Sequence, residues 1–288
     1  MTLAILGAGV MGETVLSGLL RAGWSAEQIV LTDRRPERAV ELTETYGVAV
    51  TDNAGAVAQA DTVIMVVKPQ DMVELLTEIA PVVTPGTLIV SLAAGVPIEL
   101  IESRLPAGTP VVRVMPNTPA QVDEGMAAIS PGAHAEAEHL ERVTRILSAT
   151  GRVLTVPERY QDAVTAISGS GPAYLFFVVE AMIEAGVHLG LPRDTSTELV
   201  VQTMLGSAKL LRETGEHPTV LRERVTSPGG TTAAAIRQLE DQKVRAAFLG
   251  AMEAARDRSR DLAAAARQAS ADSAPVPTPT PRIVPVSR

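Results

Sequence analysis

From Met1 to about Val156, short β-branched apolar runs alternate with stretches whose apolar positions recur every three or four residues. The runs predict strands at Leu3–Leu6, Ile29–Thr32, Val48–Val50, Thr62–Val67, Leu88–Ser91, Val111–Met115, Met126–Ile129 and Val153–Val156. The stretches between them predict helices at Val10–Ala22, Pro36–Thr45, Asp71–Ile79, Ile98–Arg104 and Ala135–Ser148. Strands alternating with helices predict an α/β fold with a doubly wound parallel sheet. Runs such as Val63-Ile64-Met65-Val66-Val67 are apolar throughout, as a sheet covered on both faces requires.

After Pro157 the strand pattern stops. Helical periodicity covers Ala163–Ile167, Ala173–Leu189, Asp194–Thr214, Val220–Arg224, Thr232–Leu239 and Lys243–Ala269. The expected plan is a dinucleotide-binding domain over residues 1–157 and an all-helical domain over 158–269. Prolines at 275, 277, 279, 281 and 285 mark 270–288 as a disordered tail. Val178, Val179, Met182, Val200, Val201, Met204 and Leu205 have no sheet to cover them, so they predict burial against a second copy. Gly171 to Leu191 is the longest apolar helix, but Glu180, Glu184 and His188 share one face, which favours a buried helix with a wet edge over a membrane span.

Composition narrows the function. The 288 residues have a net charge of −8, which gives no basic footprint for nucleic acid. There is no cysteine, which excludes disulfides, thiolate metal sites and cysteine nucleophiles and fits a cytoplasmic location. The four histidines show no metal-ligand spacing, so no metal is expected.

Two segments carry chemistry. Gly7-Ala8-Gly9-Val10-Met11-Gly12 follows the first strand and opens the first helix. The first glycine makes the tight turn, the second lets a pyrophosphate approach, and the third allows helix and strand to pack closely. Asp33 ends the second strand, about 20 residues on, where a ribose-binding acid is expected. Arg34 and Arg35 follow it and suit a 2′-phosphate, so NAD and NADP are both signalled. Lys68 in Val67-Lys68-Pro69 ends the fourth strand and could reach ribose or phosphate. Ala93-Ala94-Gly95 follows the fifth strand, and its small residues leave room for the nicotinamide ribose.

The second segment is Ser227-Pro228-Gly229-Gly230-Thr231-Thr232, just before a helix. Hydroxyls and free backbone N–H groups at a helix start make a seat for a small anion. The segment holds no carboxylate, histidine or lysine, so the hard chemistry there falls to a cofactor. Ser168-Gly169-Ser170-Gly171-Pro172 reads as a close-packing hinge between two helices. Its serines have no neighbouring histidine and no strand–turn–helix flanks to make either a nucleophile.

The chain resembles the pyrroline-5-carboxylate reductase family. The likeness is carried by Gly7–Gly12, Val66–Pro69, Val112–Pro119, Asp162–Tyr174 and Val225–Thr232, and spans about Thr2 to Leu262. It implies a Rossmann-type domain followed by a helical dimerisation domain that interlocks with a second chain into a homodimer or higher oligomer. It also implies reduction of an imine by NAD(P)H in proline biosynthesis, with 1-pyrroline-5-carboxylate as substrate, NADP(H) as the favoured coenzyme and NAD(H) left open. Carried over residue by residue, the cofactor contacts are Gly7, Ala8, Gly9, Val10, Met11, Gly12, Asn53, Val66, Val67, Lys68, Pro69, Leu92, Ala93 and Ala94. The substrate contacts are Ser227, Gly229, Gly230, Thr231 and Thr232, with Thr232 next to the imine nitrogen as the catalytic residue. On this reading the N–H groups of Gly230, Thr231 and Thr232 take the substrate carboxylate. No nucleic-acid or membrane partner is expected. Two other readings stand beside it: a β-hydroxyacid dehydrogenase, for which Lys209 would be the early candidate, and a non-catalytic dinucleotide sensor.

Overall fold

The structure is a computed structural model that describes residues 2–272. Eight strands form one sheet: β1 (Leu3–Leu6), β2 (Ile29–Thr32), β3 (Ala49–Val50), β4 (Thr62–Met65), β5 (Leu88–Ser91), β6 (Val111–Met115), β7 (Gly125–Pro131) and β8 (Gly151–Thr155). Their order is β3-β2-β1-β4-β5-β6-β7-β8, so the chain starts in the middle and winds outward in both directions. The first six are parallel.

The parallel sheet expected from the sequence is corrected at its far edge. β7 pairs antiparallel with β6, and β8 follows β7 in parallel. Residues 116–124 make a short turn between β6 and β7. A parallel return needs a crossover of roughly a dozen residues or more, so so short a link forces the reversal.

Helices cover both faces. Along β1, Leu3 and Ile5 enter one buried cluster while Ala4 and Leu6 enter the other. That is the period-two alternation of a strand buried on both sides. The first cluster is closed by α1 (Val10–Arg21), α2 (Pro36–Tyr46) and α6 (Ala137–Leu147), through residues such as Leu16, Leu19, Leu42 and Ile146. The second is closed by α3 (Asn53–Ala58), α4 (Met72–Ile79) and α5 (Ile98–Glu102), through Val57, Leu76, Ile79 and Ile101.

Beyond Thr155 the described chain is helical: α7 (Gln161–Val164), α8 (Gly171–His188), α9 (Arg193–Thr214), α10 (Pro218–Arg224), α11 (Thr231–Asp241) and α12 (Val244–Asp272). The junction with the sheet is polar. Buried Arg113 on β6 donates to Glu158 at 3.1 Å, and the same carboxylate oxygen accepts the N–H of Ile98 at 2.8 Å. Buried Gln161 donates to Ser130 at 2.7 Å. The far part of α12 returns to this junction, where Ser259 donates to Asp162 at 2.8 Å. The helix runs through Asp272, so the tail expected from residue 270 does not begin there. Residues 273–288 of that expected tail lie outside the described residues.

The helices α8, α10 and α11 have no buried residue, and α9 buries only Ser196 and Val200. Val200 is therefore taken up within its own chain. Met182, Val201 and Leu205 stand exposed, together with Phe176 and Phe177 at 66 % and 72 %. Residues 158–188 are long and apolar enough, by length and composition alone, to cross a membrane; only 11 % of the apolar 18-residue stretch within them is buried, so α8 is not the buried helix expected from the sequence but one whose apolar side chains stay uncovered in the single chain. The hinge expected at Ser168–Pro172 is a continuous helical path instead. A π-turn over Thr165–Gly169 joins α7 to α8, and Ser170 N–H donates to the Thr165 carbonyl at 2.8 Å.

Candidate functional site

At the carboxyl end of β1 the chain turns through Gly7, whose φ is +100°. A side chain there would be strained, and its Cβ would lie 3.0 Å from the carbonyl oxygen of Val66. The N–H groups of Gly7 and Ala8 both donate to the Thr32 carbonyl at 3.1 Å, which ties the turn to the end of β2. Gly12 lies under the turn, where a Cβ would collide with the Gly7 carbonyl oxygen. Gly9 is different: a Cβ there would meet nothing within 4 Å. It is the N-cap of α1, and no side chain caps that helix start. Two of the three glycines therefore serve packing, and the third leaves open space before a helix N-terminus, which is favourable to an anion.

That space opens into a groove of about 670 Å³ along the carboxyl ends of β1, β2 and β4. Of the expected cofactor contacts, Gly7, Gly9, Asp33, Arg34, Asn53, Val66, Val67 and Lys68 line it. Ala8 and Gly12 are buried beneath the turn, Val10 is exposed at its rim, and Met11 faces a separate small cavity beside Asn117. Pro69 opens the helical turn that leads into α4. Leu92 and Ala93 are buried and Ala94 is partly covered after β5, and none of the three lines this groove. The groove's shape and its glycine floor fit a dinucleotide.

Asn53 is fixed from two sides. Thr32 Oγ1 donates to its Oδ1 at 2.7 Å, and its amide donates to Glu78 at 2.8 Å. It opens α3, a helix not anticipated from the sequence. The signal was Asp52, whose carboxylate caps the Gly55 N–H at 2.7 Å. A second group missed from sequence braces the turn from behind. Arg38 pairs with Glu13 and Glu41, and Tyr46 donates to Glu13 at 2.8 Å. The two carboxylates raise the Arg38 pKa, with Glu41 the larger cause, and burial raises that of Tyr46.

Asp33 does not present a free carboxylate. It accepts from Arg35 N, Nε and Nη2 at 2.9, 3.0 and 3.1 Å. These bonds hold its pKa below the usual carboxylate range, the side-chain bond from Arg35 being the main cause.

In the second segment, Gly229 takes φ +70° and Gly230 donates its N–H to the Ser227 carbonyl at 3.0 Å. Gly230 is the N-cap of α11, and no side-chain bond closes that end. The first bond of the helix runs from Ala234 to Gly230 at 3.2 Å. Among the described residues the N–H groups of Thr231, Thr232 and Ala233 therefore have no partner, whereas that of Gly230, expected to bind an anion, is already engaged. Ser227, Gly229 and Thr231 are exposed, Thr232 is half-covered, and none of them lines the dinucleotide groove.

Comparison with known proteins matches both parts of this site. A family described as pyrroline-5-carboxylate reductase dimerisation matches residues 158–262, and one described as NADP oxidoreductase, coenzyme F420-dependent, matches residues 2–95. A pyrroline-5-carboxylate reductase of Corynebacterium melassecola is 48 % identical, over 91 % of this chain and 98 % of its own length. That of Mycobacterium tuberculosis is 44 % identical over 90 % and 96 %. The pyrroline-5-carboxylate reductase structure from Coxiella burnetii superposes with a TM-score of 0.86 at 35 % identity, covering 91 % of this chain and 98 % of that one. The Plasmodium falciparum pyrroline carboxylate reductase, solved with NADP bound, gives 0.83 at 28 % identity with the same coverage.

Proposed function

The chain belongs to the pyrroline-5-carboxylate reductase family, and we propose from that premise how its groove and its Ser227–Thr232 segment divide the work. The reaction is reduction of the C=N bond of 1-pyrroline-5-carboxylate by NAD(P)H, giving L-proline. Residues 1–157 hold the dinucleotide in this reading, and residues 158–269 bind substrate and pair with a second copy.

The coenzyme supplies the hydride when bound, so the protein has to bind, orient and exclude water. The open N–H groups of Thr231, Thr232 and Ala233 take the substrate carboxylate at the start of α11. This moves the anion seat one residue along from Gly230, whose N–H is spent on Ser227. The Thr232 hydroxyl bonds the ring nitrogen, which enters already protonated. No carboxylate or imidazole is then needed to donate a proton, which agrees with the composition of the segment.

The observation that carries the assembly is that Ser227–Thr232 lies at the surface of its own chain and away from its own groove lining. A hydride transfer site must exclude water. We therefore assign each complete site to two chains, with the groove from one protomer and the α11 start from its partner, in an interlocked homodimer. The bare faces of α8 and α9 supply the apolar surface for that pairing. A cytoplasmic location, without membrane or nucleic-acid partner, belongs to the same reading. Light scattering tests the assembly: a dimer or larger is expected, and an active monomer would overturn it. Thr232→Ala tests the chemistry: kcat should fall with little change in coenzyme affinity, and wild-type kinetics would remove Thr232 from the mechanism.

A further inference from the structure

Asp33, Arg34 and Arg35 give opposite signals about the coenzyme when read as sequence: an acid for the ribose of NAD, two cations for the extra phosphate of NADP. The structure separates the three. The Asp33 side chain is only 8 % exposed, and both its oxygens are engaged by Arg35. An acid that reads a ribose has to aim free lone pairs at the 2′-hydroxyl, and Arg35 fills about three of the roughly four that a carboxylate offers. Here Oδ1 already accepts two bonds and Oδ2 one, all from Arg35. The negative charge at the end of β2 is matched at contact distance.

Arg34 is held far more loosely. It is 64 % exposed, and its acidic neighbours Asp71 and Glu74 stand at 3.8 and 3.5 Å, at or beyond the limit of a hydrogen bond. Both arginines line the dinucleotide groove. Lys68 lines it too and has no ion pair among the described residues.

We infer that Asp33 acts as a brace and not as a ribose acceptor: it fixes Arg35 at the groove wall while Arg34 swings in, and this pair sets coenzyme choice by seating a 2′-phosphate. The inference rests on the groove being the dinucleotide site. It makes Asp33 a positioning residue for the coenzyme that carries more negative charge. The two accounts of Asp33 therefore predict effects on opposite coenzymes.

The test is direct binding of NADPH and of NADH to the full chain without substrate, by calorimetry, in wild type, Asp33→Asn, Arg34→Ala and Arg35→Ala. Arg34→Ala is expected to weaken NADPH roughly 10- to 100-fold, the worth of charge-assisted bonds to a phosphate, and to leave NADH nearly unchanged. Asp33→Asn should weaken NADPH and spare NADH. Arg35→Ala frees the Asp33 carboxylate and should shift the affinity ratio toward NADH. Loss of NADH binding alone in Asp33→Asn would overturn the inference, because that is the signature of a ribose acceptor. NADPH affinity unchanged in all three variants would also overturn it. Failure of the wild type to bind either coenzyme would instead refute the dinucleotide reading of the groove. Thermal melts of each variant keep misfolding apart from lost binding, and Arg34→Lys, which retains the charge, should recover part of the NADPH affinity.

Discussion

Alanine at Gly9 and alanine at Gly12 should separate binding from folding within a single turn. At Gly12 the new Cβ would fall on the carbonyl oxygen of Gly7, a backbone atom that cannot swing aside. Overpacking typically costs about 1–3 kcal/mol, and a clash with backbone belongs at or above the upper end. At about 2–4 °C per kcal/mol for a chain of this size, the melting temperature should drop by roughly 6–12 °C. At Gly9 the new Cβ meets nothing within 4 Å, and φ is an ordinary −70°. The cost there is confined to the poorer N-cap, about 1 kcal/mol or less. The methyl group does enter the space before α1, the pyrophosphate seat of the proposed reading. Coenzyme affinity should fall roughly 10- to 100-fold, the equivalent of one or two charge-assisted hydrogen bonds. Calorimetric titration with NADPH and a thermal melt of each variant are sufficient. A Gly9→Ala protein that binds NADPH like wild type would refute the placement of the pyrophosphate, and a Gly12→Ala protein that melts like wild type would refute the packing argument.

Thr232→Ala should lower kcat roughly 10- to 1000-fold, as for loss of one positioned hydrogen bond at a reacting group; steady-state kinetics check it, and substrate KM should move less than kcat. Glu158→Ala should destabilise the chain by about 3 kcal/mol, because it leaves the Arg113 charge buried and the Ile98 N–H without its acceptor; urea unfolding measures this, and a loss well under 1 kcal/mol would count against the junction. The Asp33 pKa is depressed in the folded state by Arg35, so its stabilising contribution is present above the unfolded value near 4 and is lost as pH falls through the lower folded value. The stability difference between wild type and Asp33→Asn should accordingly shrink below about pH 4; a difference that stays constant to lower pH would contradict the clamp.

Much of the fold was legible because β-branched runs and helical periodicity are local properties. β1, β2, β5 and β6 begin and end where the apolar runs do. The direction of β7 was not legible in β7 itself, since it depends on how few residues join it to β6. α3 was overlooked because it is six residues long with a glycine inside it, and only the cap at Asp52 marks it. At the groove, the glycine motif gave Gly7, Gly9 and Gly12 their places but not their separate duties, which depend on what a Cβ would meet. Asp33 beside two arginines reads either way in the sequence, because which arginine it holds is decided only by the folded turn after β2. The same holds for Gly230, whose engaged N–H follows from a turn closed on Ser227. The apolar faces of α8 and α9 were visible as periodicity; of the seven residues expected there, Val200 is buried, Val178, Val179 and Met204 are partly covered, and Met182, Val201 and Leu205 stand exposed.

Co-expression of two impaired variants tests the two-chain site most directly. Gly9→Glu places a carboxylate in the proposed pyrophosphate seat, and Thr232→Ala removes the hydroxyl assigned to the ring nitrogen; each should lose most of its activity alone. If the groove of one protomer is completed by the α11 start of its partner, a mixed dimer holds one doubly damaged site and one intact site, and reductase activity should return to a substantial fraction of wild type. If each chain completes its own site, every site in the mixed dimer carries one lesion, and activity no higher than that of the separate variants would contradict the account.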